Sequence, residues 1–167
     1  MHPYIHAKKN PDKPALIMAS SGEITTYKEL DERSNQIAHL FRQKGLKIGD
    51  GISIFMENNS RFLEICWAAQ RSGLYFTPIS SKLTAAEVKY IHDDCNSQFL
   101  ISSKYLKNVA NETFQLTKKT KHHYMVDGVE EGWQSFENAI MDLPKTPIPD
   151  EEMGQDMLYS SGTTGKP

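Results

Sequence analysis

The chain has 167 residues, 38% hydrophobic and 24% charged, with a formal net charge of −2. That length suffices for one ordinary domain with a buried core, and the charge excludes a globally basic nucleic-acid binder. No run of ~18 apolar residues suits a transmembrane helix, and residues 1–10 carry His, Lys and Asn where a secretory signal needs an apolar stretch.

The first predicted element is a hairpin. Ala15 to Met18 is an apolar run, Ser20 to Glu23 is turn chemistry, and Ile24 to Thr26 is β-prone. A helix starts at once, because Thr26 with Glu29 three residues on forms a capping box. Leu30, Ile37, Ala38 and Phe41 recur at helical spacing, and Gly45 followed by Leu46 suits the helix end.

Ile52 to Met56 reads as a strand. Asn58-Asn59-Ser60 supplies the cap of a second helix over about 61–72. Its apolar residues, Trp67 and Cys66 among them, cover most of the circumference and predict deep burial. Leu74 to Thr77 is the next strand. Thr84 and Glu87 form a second capping box, before a helix with Val88, Ile91 and His92 on one face. Strands at 98–101 and 124–126 and short helices at 104–110 and 136–140 follow. This alternation predicts an α/β fold, a layered and largely parallel sheet flanked by helices.

Residues 1–125 hold 17 Lys+Arg and 12 Asp+Glu, whereas residues 126–167 hold 2 and 9. Pro144, Pro147 and Pro149 fall inside this acidic part and predict an extended, solvated connection. The organisation is therefore an α/β unit over 1–142, a Pro-rich acidic linker over 143–155, and a strand with a loop over 156–167.

That loop carries the most chemistry. Ser160, Ser161, Thr163 and Thr164 surround Gly162 and Gly165. Glycines and hydroxyls after a strand can turn several donors toward one anion. The same composition also suits a flexible Ser/Gly/Thr loop. It is not a Walker A loop, because two residues separate the glycines and Pro167 follows Lys166.

Tyr159 to Pro167 resembles the phosphate-loop signature of the adenylate-forming, or AMP-binding, superfamily. The upstream segments at 26–30, 57–69, 71–79 and 83–91 resemble the same family in the same order. Thr77 to Ser81 and the helix start at Leu83-Thr84 are more similar to its acyl-CoA synthetase branch. The resemblance implies the first subdomain of such an enzyme's N-terminal domain. It implies activation of a carboxylic, fatty-type acid by ATP and Mg²⁺ as acyl-AMP, then transfer to coenzyme A. Ser160, Ser161, Gly162, Thr163, Thr164 and Gly165 would hold the ATP phosphates. Lys166 is not the family's recurrent lysine, which follows the proline.

No catalytic residue and no metal ligand is assigned within the chain, and the segment alone is expected to be inactive. Two alternatives are an adenylating ligase that loads a carrier protein and a non-catalytic binding module. Cysteine usage and the absence of a signal-like start make a cytoplasmic setting the expectation, the charge argues against nucleic-acid partners, and the oligomeric state, a homodimer included, is left open.

The other candidates read as structural. His122-His123 is expected in a basic surface loop, Asp93 and Asp94 diverge at a helix end, and Cys66 and Trp67 belong to the core. Cys95 is expected to be partly exposed. The two cysteines lie 29 residues apart without CxxC spacing, so a disulfide framework is not expected and a reducing setting is.

Overall fold

The computed structural model describes residues 3–159. A short helix, α1 (Pro3–Lys9), precedes the hairpin of β1 (Pro14–Ile17) and β2 (Ile24–Thr26), which pair antiparallel as expected. No local pattern anticipates α1, which packs on the long helix α2 (Tyr27–Gln43), with the His6 ring tilted against that of Tyr27 at 4.9 Å between centroids.

Local chemistry sets the ends of α2. The Thr26 backbone N–H donates to Glu29 Oε2 at 2.8 Å, and the Glu29 N–H donates back to Thr26 Oγ1 at 3.2 Å. At the other end Gly45 has φ +86°, and the Leu46 N–H reaches the Phe41 carbonyl at 3.0 Å. Leu46 is buried against the helix it terminates.

The main sheet contains β3 (Gly51–Phe55), β4 (Tyr75–Ile79), β5 (Ser97–Ser103), β6 (His122–Val126), β7 (Gln134–Ser135) and β8 (Gln155–Asp156). All pairings are parallel, and the spatial order is β7-β6-β5-β3-β4-β8. α3 (Ser60–Arg71) carries the chain from β3 to β4 on one side. α4 (Ala85–Asp94) then carries it back past β3 to β5. The order reverses between β3 and β5, and open α/β sheets place ligands outside the carboxyl ends of strands at such a point. α5 (Lys107–Leu116), after a 3₁₀ turn at Lys104–Leu106, and α6 (Phe136–Ile140) complete the layers. α5 runs longer than expected because Ala110 and Thr113 continue its buried face.

Strand alternation sends side chains to two cores. Ile52, Ile54, Phe99, Ile101, Tyr124 and Val126 meet α2, α3 and α6 on one face. Phe55, Ile79, Leu100 and Met125 meet α4 and α5 on the other.

One helix, α3, buries charge that apolar periodicity concealed. Glu64 of α3 is fully buried, paired with Arg33 at 2.8 Å and with Arg61 at 3.1 Å. Arg71 is also buried and contacts Asp31 Oδ1 and Glu151 Oε1, each at 2.9 Å. Phe62, Leu63 and Trp67 are only half-buried, so α3 is not apolar all round.

Candidate functional site

The candidate phosphate-binding residues Ser160, Ser161, Gly162, Thr163, Thr164 and Gly165 lie outside the described residues. What the structure describes is the path that leads to them, together with three other polar regions.

The approach runs along the acidic segment. Most of its side chains face water, as expected, but its backbone is strapped to the fold. Gln36 Nε2 donates to the Leu143 carbonyl at 3.2 Å, and Asn35 Nδ2 to the Lys145 carbonyl at 2.9 Å. The Thr146 carbonyl lies 2.9 Å from His39 Nε2, and Asp150 pairs with Arg42 at 2.9 Å. These four residues stand on one face of α2. The Ile148 side chain of the same segment is buried.

Gly154 is the tightest point. Its N–H donates to the Gln70 carbonyl at 2.7 Å, and a Cβ there would sit 2.3 Å from the Leu74 oxygen. Only glycine fits against backbone at this separation. β8 then pairs with β4, two residues earlier than the strand expected from Met157 to Tyr159. The Met157 N–H still reaches the Phe76 carbonyl at 2.9 Å.

Tyr159 is the last described residue. Its ring packs beside the cluster of Phe55, Ile79, Val88 and Ile91, and its hydroxyl donates to Asp94 Oδ2 at 2.5 Å. Burial, followed by this hydrogen bond, pushes the phenol pKa well above its ordinary value. Asp93 points elsewhere and pairs with Lys89, so the adjacent carboxylates diverge as expected.

The carboxyl ends of β3, β5 and β6 are tied by polar side chains at the switch point. Ser103 Oγ donates to Glu57, and Asn59 Nδ2 donates to Asp127 Oδ2 at 2.7 Å. Asn59 also caps α3, accepting from the Arg61 N–H at 2.9 Å. The Asp127 N–H donates to Glu137 Oε1 at 3.0 Å.

A buried network joins α4 to the sheet. Ser53 Oγ donates to Ser97 Oγ at 2.7 Å and lies 3.0 Å from His92 Nδ1. The serine's single proton is used on Ser97, so the network assigns the ring proton to Nδ1. His92 Nε2 then accepts from Thr120 Oγ1 at 2.6 Å. His123 Nε2 lies 3.0 Å from Thr117 Oγ1, which donates to the Thr113 carbonyl at 2.9 Å. Burial lowers the pKa of both histidines to about 4.

Three sequence expectations are corrected here. His122 and His123 belong to β6, and His123 is buried against Phe114 and Trp133 rather than in a surface loop. The strand's period-two pattern, extended back from Tyr124, is the signal that places His123 on a core face. Cys95 is buried at the end of α4, with Sγ 3.0 Å from Ser97 Oγ. Trp67 is half-buried and lines an open cavity of about 430 Å³ with Gln70, Arg71, Glu151 and Met153. Cys66 is buried as expected, and its thiol is pushed up to about 12 by desolvation.

Among the described residues no cluster of three or more His, Cys, Asp or Glu side chains is placed to hold a metal ion. No protein ligand for a divalent cation is therefore assigned. Among the same residues no helix is long and apolar enough to cross a membrane.

Comparison with known proteins covers nearly the whole chain. The family model described as AMP-binding enzyme matches residues 4–167. A 4-hydroxybutyrate–CoA ligase of Metallosphaera sedula is 31% identical over 98% of this chain and 29% of its own length. The fatty acid–[acyl-carrier-protein] ligase ScoC of Streptomyces coeruleorubidus is 28% identical over 97% of this chain and 30% of its own. Among solved structures, the anthranilate CoA ligase AuaEII in complex with anthranoyl-AMP superposes with a TM-score of 0.86 at 22% identity. That match covers 99% of this chain and 33% of the ligase. The chain thus spans about 30% of the length of these relatives.

Proposed function

This chain belongs to the AMP-binding enzyme family, and from that premise we propose that it forms one wall of the ATP site of an acid–CoA ligase. The observation that carries the reading is a family match running through the glycine- and hydroxyl-rich loop to residue 167. In the proposed reaction a carboxylate oxygen attacks the α-phosphorus of ATP. The bond from the α-phosphorus to its bridging oxygen breaks, and pyrophosphate leaves. The coenzyme A thiolate then attacks the acyl carbon of acyl-AMP, and AMP leaves.

An anion attacking a polyanion meets electrostatic repulsion, and preorganised donors on the departing phosphates offset it. The hydroxyls of Ser160, Ser161, Thr163 and Thr164 and the N–H groups of Gly162 and Gly165 are those donors in this reading. Mg²⁺ bound with the nucleotide supplies further charge neutralisation. The acyl substrate class in this reading, a fatty or other carboxylic acid, rests on the ligases that this chain resembles.

The test is titration of the chain with Mg·ATP. Binding that weakens in Thr163→Val and Thr164→Val supports the reading, and a chain that binds no ATP refutes it. Since the chain spans about 30% of its relatives, we also expect no carboxylate-dependent pyrophosphate exchange from it alone. Exchange above background would show that this wall suffices. A second reading sends the acyl group to a carrier-protein thiol, and it is favoured by the similarity to ScoC. An adenylating protein that contains this segment decides between them when offered coenzyme A and a phosphopantetheinylated carrier in parallel.

A further inference from the structure

The chain reaches its candidate phosphate loop through graded anchors. Gly154 is wedged against the backbone of Ala69 and Leu74, and Met157 is bonded to β4. Both anchors act on the main chain. The last anchor before Ser160 is a side chain, Tyr159, held by apolar packing and by Asp94 Oδ2 at 2.5 Å.

Asp94 is a suitable fixed point. It is the last residue of α4, whose first turn is closed by Thr84 and Glu87, with the Thr84 N–H donating to Glu87 Oε2 at 2.8 Å. The last turn is locked to the sheet by His92 through Ser53 and to the neighbouring loop through Thr120. The helix therefore cannot shift along its axis without breaking buried hydrogen bonds. A carboxylate at its end gives the phenol hydroxyl one acceptor in one place. Consecutive Cα atoms lie ~3.8 Å apart, so fixing Tyr159 constrains where the first loop donor begins. Donors to a phosphate act only within about 0.5 Å of their productive positions.

We propose that Asp94 and Tyr159 form a positioning pair that fixes the entry of the phosphate-binding loop. The pair rests on the ATP reading of residues 160–165. Neither residue touches the nucleotide in this proposal. The pair lies at the surface, where a hydrogen bond adds little to global stability, so its effect is local to the loop.

The experiment is a Mg·ATP titration of the full 167-residue chain, followed by the amide resonances of Gly162 and Gly165. Tyr159→Phe keeps the ring and removes the hydroxyl, and Asp94→Ala removes the acceptor. Each is expected to weaken ATP about five- to tenfold. The double variant should be no weaker than either single one, because both delete the same bond. Asp94→Asn retains an acceptor oxygen and should lose less. Melting temperatures should stay within about 2 °C of the unaltered chain, consistent with a surface bond. Lys89→Ala, which removes the Asp93 ion pair from the same helix, should leave ATP affinity unchanged.

Unchanged ATP affinity in Tyr159→Phe and Asp94→Ala overturns the pair while leaving the ATP reading intact. Multiplicative losses in the double variant overturn it too. Absence of ATP binding by the unaltered chain overturns the ATP reading first, and the pair with it.

Discussion

Acid should unfold this protein through two buried histidines. His92 and His123 are almost fully buried, and both are neutral in the folded chain. Desolvation is the main cause for each. Asp93 partly opposes it at His92, Lys89 adds to it there, and His92 and His122 add to it at His123. The folded pKa values of about 4 lie below the ordinary value of 6.5. Between these values the unfolded chain binds more protons than the folded one. The stability from this source is complete above pH 6.5 and is lost as pH falls toward 4. At pH 5 each histidine removes about 2 kcal/mol relative to neutral pH, about 4 kcal/mol together. That is a large part of the ~5–15 kcal/mol available to a domain.

Urea unfolding at pH 7.5 and pH 5.0 measures the loss directly. His92→Gln and His123→Gln each reduce neutral-pH stability, so the informative quantity is the difference between the two pH values. It should shrink by about half in each variant. The reduction should be somewhat larger for His92→Gln, because the charge on His92 also disfavours protonation of His123. Variants that keep the full pH difference would refute the reasoning and move the acid sensitivity to the carboxylates.

Other expectations follow from the same packing. Gly154→Ala forces a Cβ against three backbone atoms within 2.8 Å and should cost about 3 kcal/mol in chemical unfolding. Arg71→Met leaves Asp31 and Glu151 without their buried partner and should cost a similar ~3 kcal/mol, read as a lower urea midpoint with the m-value retained. Neither thiol should react with a disulfide reagent in the native chain at pH 8, since both are buried and the Cys66 thiol is raised to about 12. Rapid labelling of either thiol without unfolding would contradict the packing of α3 and α4.

The amino-acid sequence by itself determined the elements whose causes are local. Thr26 with Glu29 and Thr84 with Glu87 start their helices through contacts three residues apart. Gly45 ends α2 because its positive φ suits no other residue as well. The alternation of strands and helices was enough for a parallel α/β sheet, and the wording of residues 159–167 was enough for the family.

The tertiary structure alone decided how distant residues meet. The reversal between β3 and β5, and the pairing of β8 with β4, depend on which sheet edge each strand reaches. The same holds for Arg71, whose buried charge is stabilised by residues 40 positions before it and 80 after. His123 looked like part of a lysine-rich loop until strand pairing placed its ring in the core. The acidic stretch after residue 142 reads as solvent-facing from its composition, and its side chains are. That its backbone is strapped to α2 follows from the bonds of Gln36 to Leu143 and of Asn35 to Lys145, each spanning more than 100 residues, which no local pattern encodes. The chemistry of the loop is written in its glycines and hydroxyls. The route by which the fold delivers the chain to that loop is a property of the packed sheet.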